Sequence, residues 1–300
     1  AALRGKHDHH SGLSSSDGIV ETMIPAGQQK KWARRPGNTL AGLGDQLSFY
    51  GRTFGSMYRA FTSYKREIVR LLAEIAMGSG GLAVVGGTVT ITAVMTVSSG
   101  AEVGLQGFSI LNQIGVDAMA GFASAFLNTR EAAPLIAGVG LAATVGAGFT
   151  AQLGAMRVNE EIDALEVMAI PSIPYLVSTR IAAGFIAIIP LYATALITSY
   201  ASAALMITVL FGQADGTYQH YFSVFLLPAD VLWSLCKAML MALVVMLVHC
   251  YYGYRARGGP AGVGQAVGNA TRASLVGVVL VDLLVGLAVY GGGETIHISG

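Results

Sequence analysis

Charge is what this sequence has least of. Asp, Glu, Lys and Arg make up 12% of its 300 residues, about half of the ~25% usual in soluble globular domains. Hydrophobic residues reach 53%. Together these exclude a soluble fold built round one large core and point to a bilayer as solvent. Cysteine is nearly absent too. Cys236 and Cys250 lie in one apolar run, which argues against a disulfide framework and reads as two inert buried thiols. No Gly-x-x-x-x-Gly-Lys-Ser/Thr occurs, so the chain has no P-loop of its own for ATP. The run Gly262-Val263-Gly264-Gln265-Ala266-Val267-Gly268 has the wrong spacing for a nucleotide loop. No His, Cys or Ser/His/Asp set gathers at one membrane face, so no catalytic residue and no metal site is assigned. The cluster His7-Asp8-His9-His10 stands in a polar stretch without companion ligands and reads as tail. A net charge of +1 gives no reason to expect a nucleic-acid partner.

What is present is uncharged sequence in long pieces. A helix needs ~18–20 apolar residues to cross a bilayer. Five spans are expected: Ile75–Ala101, Ala132–Met156, Ile181–Ala214, Val231–Tyr252 and Ala273–Gly293. The runs are continuous rather than alternating, which favours helices over a β-barrel. The piece Val103–Thr129 carries Asn112, Gln113, Asp117 and Asn128, and is expected outside as a partly buried or re-entrant segment. Residues 1–40 are polar and read as a disordered cytoplasmic tail with no signal peptide. Residues 294–300 read as a short external tail.

Before the first span, Leu47, Tyr50, Phe54, Met57, Phe61, Tyr64, Ile68, Leu71 and Ile75 recur at spacings of three and four. Arg52, Arg59, Lys65, Arg66 and Arg70 lie between them. Residues 43–74 are therefore expected to form an amphipathic helix lying in the membrane interface. The fold class is an all-α polytopic membrane protein: an interfacial elbow helix, then five transmembrane helices over 75–293. Of the 18 basic residues, 11 precede Ile75. A cytoplasmic N-terminus also puts Arg157, Arg180, Arg255, Arg257 and Arg272 inside and leaves Arg130 alone outside. The C-terminus is then external, and the chain a multi-pass protein of the plasma (inner) membrane.

Two features stand out from this background. The first is the acidic island Glu160-Glu161-Ile162-Asp163-Ala164-Leu165-Glu166. As a helix from Val158 to Ala169, ended by Pro171 and Pro174, it aligns Val158, Ile162, Leu165 and Ala169 in a narrow apolar stripe. Asn159, Asp163 and Glu166 share one flank. Such a helix suits the basic groove of a soluble partner. A solvated loop helix without a partner fits the same residues. The second feature is Lys237 and Asp282, which lie within spans. Each costs roughly 2.5–3.5 kcal/mol at a helix centre. They either pair between antiparallel neighbours or reach water separately.

Several motifs together resemble a known family. They are Arg130-Glu131-Ala132-Ala133-Pro134, Gly146-Ala147-Gly148, Ala151-Gln152-Leu153-Gly154-Ala155-Met156, the island continued through Val167-Met168, and Pro174-Tyr175-Leu176-Val177 with Arg180. Gly253-Tyr254, Gly258-Gly259-Pro260-Ala261-Gly262-Val263-Gly264 and Asp282 complete the set. Over roughly residues 45–293 the chain is similar to the MlaE/YrbE permeases. The YrbE proteins of actinobacterial Mce lipid-uptake systems look closest, and Gln152-Leu153-Gly154-Ala155-Met156 resembles the B-type paralogue. The resemblance implies the membrane subunit of an ABC transporter with the MlaE-like permease fold. It implies a heterodimer with a paralogous YrbE permease and two copies of a separate ATP-binding subunit, which holds ATP and Mg while this chain binds no cofactor. It also implies MCE-domain lipid-carrying proteins on the external side, and import of a fatty acid, mycolate-type lipid or sterol. Glu160, Glu161, Asp163, Leu165, Glu166 and Met168 would face the ATPase. Val85, Val89, Val94, Phe108 and Leu111 would line a lipid cavity. Thr144 and Gln152 stand where the family's phospholipid transporter has Arg and Glu, so contacts of those charges do not carry over. A lipid-modifying membrane enzyme and a non-transporting membrane scaffold are the alternative classes.

Overall fold

The computed structural model describes residues 36–77 and 87–291. Among these residues every regular element is helical. α1 spans Pro36–Ser63, α2 Lys65–Met77 and α3 Thr88–Gln113. α4 is one continuous rod, Asp117–Val158. α5 is the short Glu161–Val167, and α6 is Ile173–Leu210. α7 (Asp215–Phe225), α8 (Pro228–Tyr254) and α9 (Gly259–Tyr290) complete the chain. Of the two compact units, Ala1–Ser48 adds only the opening turns of α1 to the described residues, and Phe49–Gly300 holds the rest. Five helices, α3, α4, α6, α8 and α9, are long and apolar enough to cross a membrane. The chain is a multi-pass membrane protein.

Boundaries moved where polar residues proved to be helical. The first span is α3, shifted along the chain from Ile75–Ala101 to Thr88–Gln113. The segment Val103–Thr129, expected as a partly buried or re-entrant piece between spans, belongs to the spans themselves: its first half finishes α3 and its second half begins α4. Gly115, at φ +74°, makes the turn between them, a conformation that costs other residues strain. Arg130 accordingly lies inside α4, 6% exposed, and not outside. α9 begins at Gly259 behind Gly258, both at positive φ, with Pro260 in its first turn. Arg272 is therefore part of that helix.

The core lies where α4, α6 and α8 meet, built from Leu141, Leu153, Ile181, Ile188, Met241 and Val245. Small residues let the outer helices approach. A Cβ added to Gly100 of α3 would overlap Ser199 and Ser202 of α6, so the pair packs only because no side chain is there. Several buried polar groups at the core are matched across helices, as a dry interior favours. His249 of α8 joins Thr150 of α4 through Nδ1 (2.7 Å) and Ser274 of α9 through Nε2 (3.0 Å). Cys250 is buried beside it, but Cys236 is exposed on α8, contrary to the expectation of two buried thiols.

Successive spans alternate in direction, so α5 and α7 cap opposite ends of the bundle. From Phe49 on, α1 and α2 pack at the α5 end. The single elbow expected over 43–74 is broken at Tyr64, whose ring meets Tyr175 edge-on at 5.2 Å. Its buried face is Phe49, Thr53, Ala60, Ile68 and Leu71, whereas Phe54 and Phe61 are exposed. The mixed three-and-four spacing had merged two faces. The buried one carries small polar residues, and Ser56 Oγ lies 2.8 Å from Ser178 Oγ of α6.

Candidate functional site

α5 owes its shape to its two ends. Glu160 enters it at φ 61° and Ala169 leaves it at φ 60°, both in the left-handed region that non-glycine residues seldom occupy. At the exit, Ala169 N–H donates to Glu166 O and Ile170 N–H to Leu165 O, each at 3.0 Å. This pair of reversed bonds closes a helix C-terminus in the Schellman arrangement. α5 is therefore shorter than the Val158–Ala169 expected, because the chain must reverse twice within it.

Ile162 is fully buried and Leu165 packs partly against the core. Glu160, Glu161, Asp163, Glu166 and Met168 all face outward. Val167 is 88% exposed, an apolar tip that the sequence reading omitted. The carboxylates are held separately rather than as one flank. Asp163 Oδ1 accepts from Arg157 Nη1 at 2.6 Å. Glu166 Oε1 accepts from Ser172 Oγ at 2.7 Å and from Tyr254 OH at 3.4 Å. Asn159 Nδ2 donates to Glu161 Oε1 at 3.3 Å. A groove lies on either side of α5. One, of about 400 Å³, runs along Glu166, Ile170, Pro171 and Pro174. The other, of about 300 Å³, is lined by Arg157, Glu160, Asp163 and Arg257. α5 is thus a ridge of carboxylates with an exposed apolar tip between two grooves.

The second cluster lies within the bundle, toward its other end. Lys237 of α8 is completely buried. Its Nζ lies 2.7 Å from Asp282 Oδ1 of α9 and 3.0 Å from Glu131 Oε2 of α4, and it donates to Arg130 O at 2.9 Å. The Asp282 contact is a close ion pair rather than an aligned hydrogen bond. Local backbone explains the third oxygen. Pro134 has no N–H, so the Arg130 carbonyl lacks its helical donor, and Lys237 supplies one. One residue earlier, α4 opens into a wide turn over Asn128–Ala132 in which Ala133 N–H reaches back to Asn128 O. Thr129 O accepts instead from Ser234 Oγ at 2.5 Å. Arg130 completes the cluster, donating to Asp230 Oδ2 at 2.8 Å and lying over the rings of Phe126 and Tyr290. Arg130 and Glu131 enter the sequence reading only as part of a motif, and their pairing with Asp230 and Lys237 is not foreseen there because Arg130 is expected outside. The signal was an Arg-Glu pair just ahead of a proline in an otherwise uncharged run.

The sequence profile of the family described as Permease MlaE matches residues 80–288. The chain belongs to the MlaE permease family. A protein of Rickettsia bellii named "Probable ABC transporter permease protein" is 30% identical over 204 residues, covering 65% of this chain and 75% of that one. A "Probable ABC transporter permease protein" of Synechocystis is 28% identical over 168 residues, 56% of this chain and 64% of the other. The chloroplastic protein TRIGALACTOSYLDIACYLGLYCEROL 1 of Arabidopsis thaliana is 28% identical over 172 residues, 57% of this chain. The match spans about half of the Arabidopsis protein, 49%.

In this permease the candidate cavity residues divide. Val89 and Val94 are exposed on α3. Phe108 is buried and stacked on Phe211 at 4.2 Å, and Leu111 packs into the same small core. Val85 lies outside the described residues, as do His7, Asp8, His9 and His10. Gln152 lies between two charges: it donates to Glu74 Oε1 at 2.7 Å and accepts from Arg180 Nη2 at 3.4 Å. Thr144 spends its hydroxyl on Gly140 O at 2.7 Å.

Proposed function

We propose that this permease is the membrane subunit of an Mce-type ABC transporter that imports a hydrophobic lipid, powered by ATP on a separate subunit. The observation that carries the reading is α5: a carboxylate ridge with an apolar tip, exposed between two spans, in a permease whose relatives are named as ABC transporter permeases. One of the two ATP-binding subunits of the complex would dock there, with Glu160, Glu161, Asp163, Glu166 and Met168 outward and Leu165 anchoring the helix. The name of the Arabidopsis relative is that of a glycolipid, which supports lipid as the cargo class. A paralogous permease completes a heterodimer, and MCE-domain proteins receive the opposite end. Arg157, Arg255 and Arg257 flank α5, so the positive-inside rule puts it, α1 and α2 on the cytoplasmic side of the inner membrane and the C-terminus outside. The test is co-purification with the ATP-binding subunit, followed by ATP-dependent lipid movement in proteoliposomes. Asp163→Lys with Glu166→Lys is expected to abolish both. Undiminished retention of the ATPase by that variant would exclude α5 as the docking element.

A further inference from the structure

α3 has two faces, and only one is used inside the chain. Thr88, Thr92, Thr96, Gly100, Gly104 and Phe108 are buried. The opposite face carries Val94, Ser98, Glu102, Gln106 and Ile110, all exposed. They recur every four residues, so they stand in one row. Glu102 lies about 21 Å from the Thr88 end of a helix about 39 Å long, at 1.5 Å per residue. A carboxylate halfway along a membrane-spanning helix, pointing away from its own bundle, does not face hydrocarbon.

The chemistry of the row narrows what it meets. Gln106 Nε2 already donates to the Glu102 carboxylate at 2.8 Å. Ser98 Oγ donates back to Val94 O at 3.1 Å. What remains toward the outside is rich in acceptors: the rest of the carboxylate, the Gln106 carbonyl and the Ser98 lone pairs. Val94 and Ile110 bound it above and below. The glycines of α3 that allow the closest helix approach, Gly100 and Gly104, are already taken up by α6.

We infer that Glu102, supported by Gln106 and Ser98, is the polar-group site of the lipid path, and that it selects uncharged lipids bearing a hydroxyl over lipids bearing a carboxylate. The inference rests on the lipid-permease reading and gives it a substrate class. A hydroxyl donates to the Glu102 carboxylate while its apolar body lies on Val94 or Ile110. A free fatty acid brings a second negative charge to the same place.

The experiment compares monooleoylglycerol with oleate, which share one acyl chain, on the purified complex with its ATPase in nanodiscs. Wild type is expected to bind monooleoylglycerol about tenfold tighter than oleate. The near-isosteric Glu102→Gln is expected to cut that ratio to about twofold or less, by strengthening oleate binding. Glu102→Val is expected to lose monooleoylglycerol, with retention of the ATPase reporting that both variants are folded. Equal binding of the two lipids by wild type, or an unchanged ratio in Glu102→Gln, overturns the site but leaves the permease reading intact. Binding of neither lipid, with no ATP-dependent movement of any lipid, overturns both.

Discussion

Two groups of carboxylates in this permease stand in opposite circumstances. Glu160, Glu161, Asp163 and Glu166 stand exposed on α5, each held by at most a few bonds from its own neighbourhood. Glu131, Asp230 and Asp282 are paired with the buried Arg130 and Lys237, although Glu131 itself stays half exposed. Burial of the partner cation separates them: Arg130 and Lys237 are buried, whereas Arg157 is partly exposed. An ion in a dry interior must be matched on every side, so it ties α4, α8 and α9 together. An exposed ion is matched by water, so it adds little to the fold and is available to a partner. Substitutions at the two places should therefore act on different quantities.

The sharpest way to break this contrast is Lys237→Met. It leaves Glu131, Asp282 and the Arg130 carbonyl without their shared donor, and is expected to cost about 3–5 kcal/mol. Unfolding of the purified protein in mixed micelles would read it. Adding Asp282→Asn should recover part of the loss, and strict additivity of the two changes would show that the 2.7 Å contact carries no coupling. The matching experiment on α5, Asp163→Lys with Glu166→Lys, should leave stability within about 1 kcal/mol of wild type, since the Arg157–Asp163 bridge is exposed. Its effect belongs in ATPase retention, down about tenfold or more. If this variant unfolds as readily as Lys237→Met, the division between structural and docking carboxylates collapses. A smaller change, Tyr254→Phe, removes the hydroxyl that Ser172 and Glu166 share. It is expected to cost about 1 kcal/mol, read as a lowered Tm.

The helical class and five spans were legible because lipid demands long uncharged runs, a signal that a single sequence carries in full. Where each helix stops was less so. Asn112, Gln113, Asp117 and Asn128 marked Val103–Thr129 as a segment outside the spans, yet all four sit within α3 or α4, because membrane helices tolerate polar groups near their ends and in the protein interior. The same misreading placed Arg130 outside and hid the cluster round Lys237. Lys237 and Asp282 stood out because each is charged inside an apolar run. Their third partner, the Arg130 carbonyl, depends on a missing proline N–H and a widened turn, which only coordinates display. On α5, helical phase grouped Asp163 with Glu166. It could not foresee that Arg157 and Ser172 draw them to separate neighbours.

The finest test of the comparison is Ala169→Gly. Ala169 pays a left-handed conformation at φ 60° to close the Schellman turn, which costs an L-residue about 1–2 kcal/mol. Glycine removes that strain but makes the unfolded chain about 0.5–1 kcal/mol harder to order. The net expectation is a gain of about 0.5 kcal/mol, seen as a small rise in Tm. Ala169→Val should move the other way, because a β-branched residue is worse placed at positive φ. The reading of α5 as a docking ridge adds a second expectation. If the strained turn holds Val167 and Met168 in their exposed positions, Ala169→Gly should stabilise the permease while loosening its grip on the ATPase. A rise in Tm with unchanged ATPase retention would mean that Glu160 and the buried Ile162 alone set the attitude of the helix.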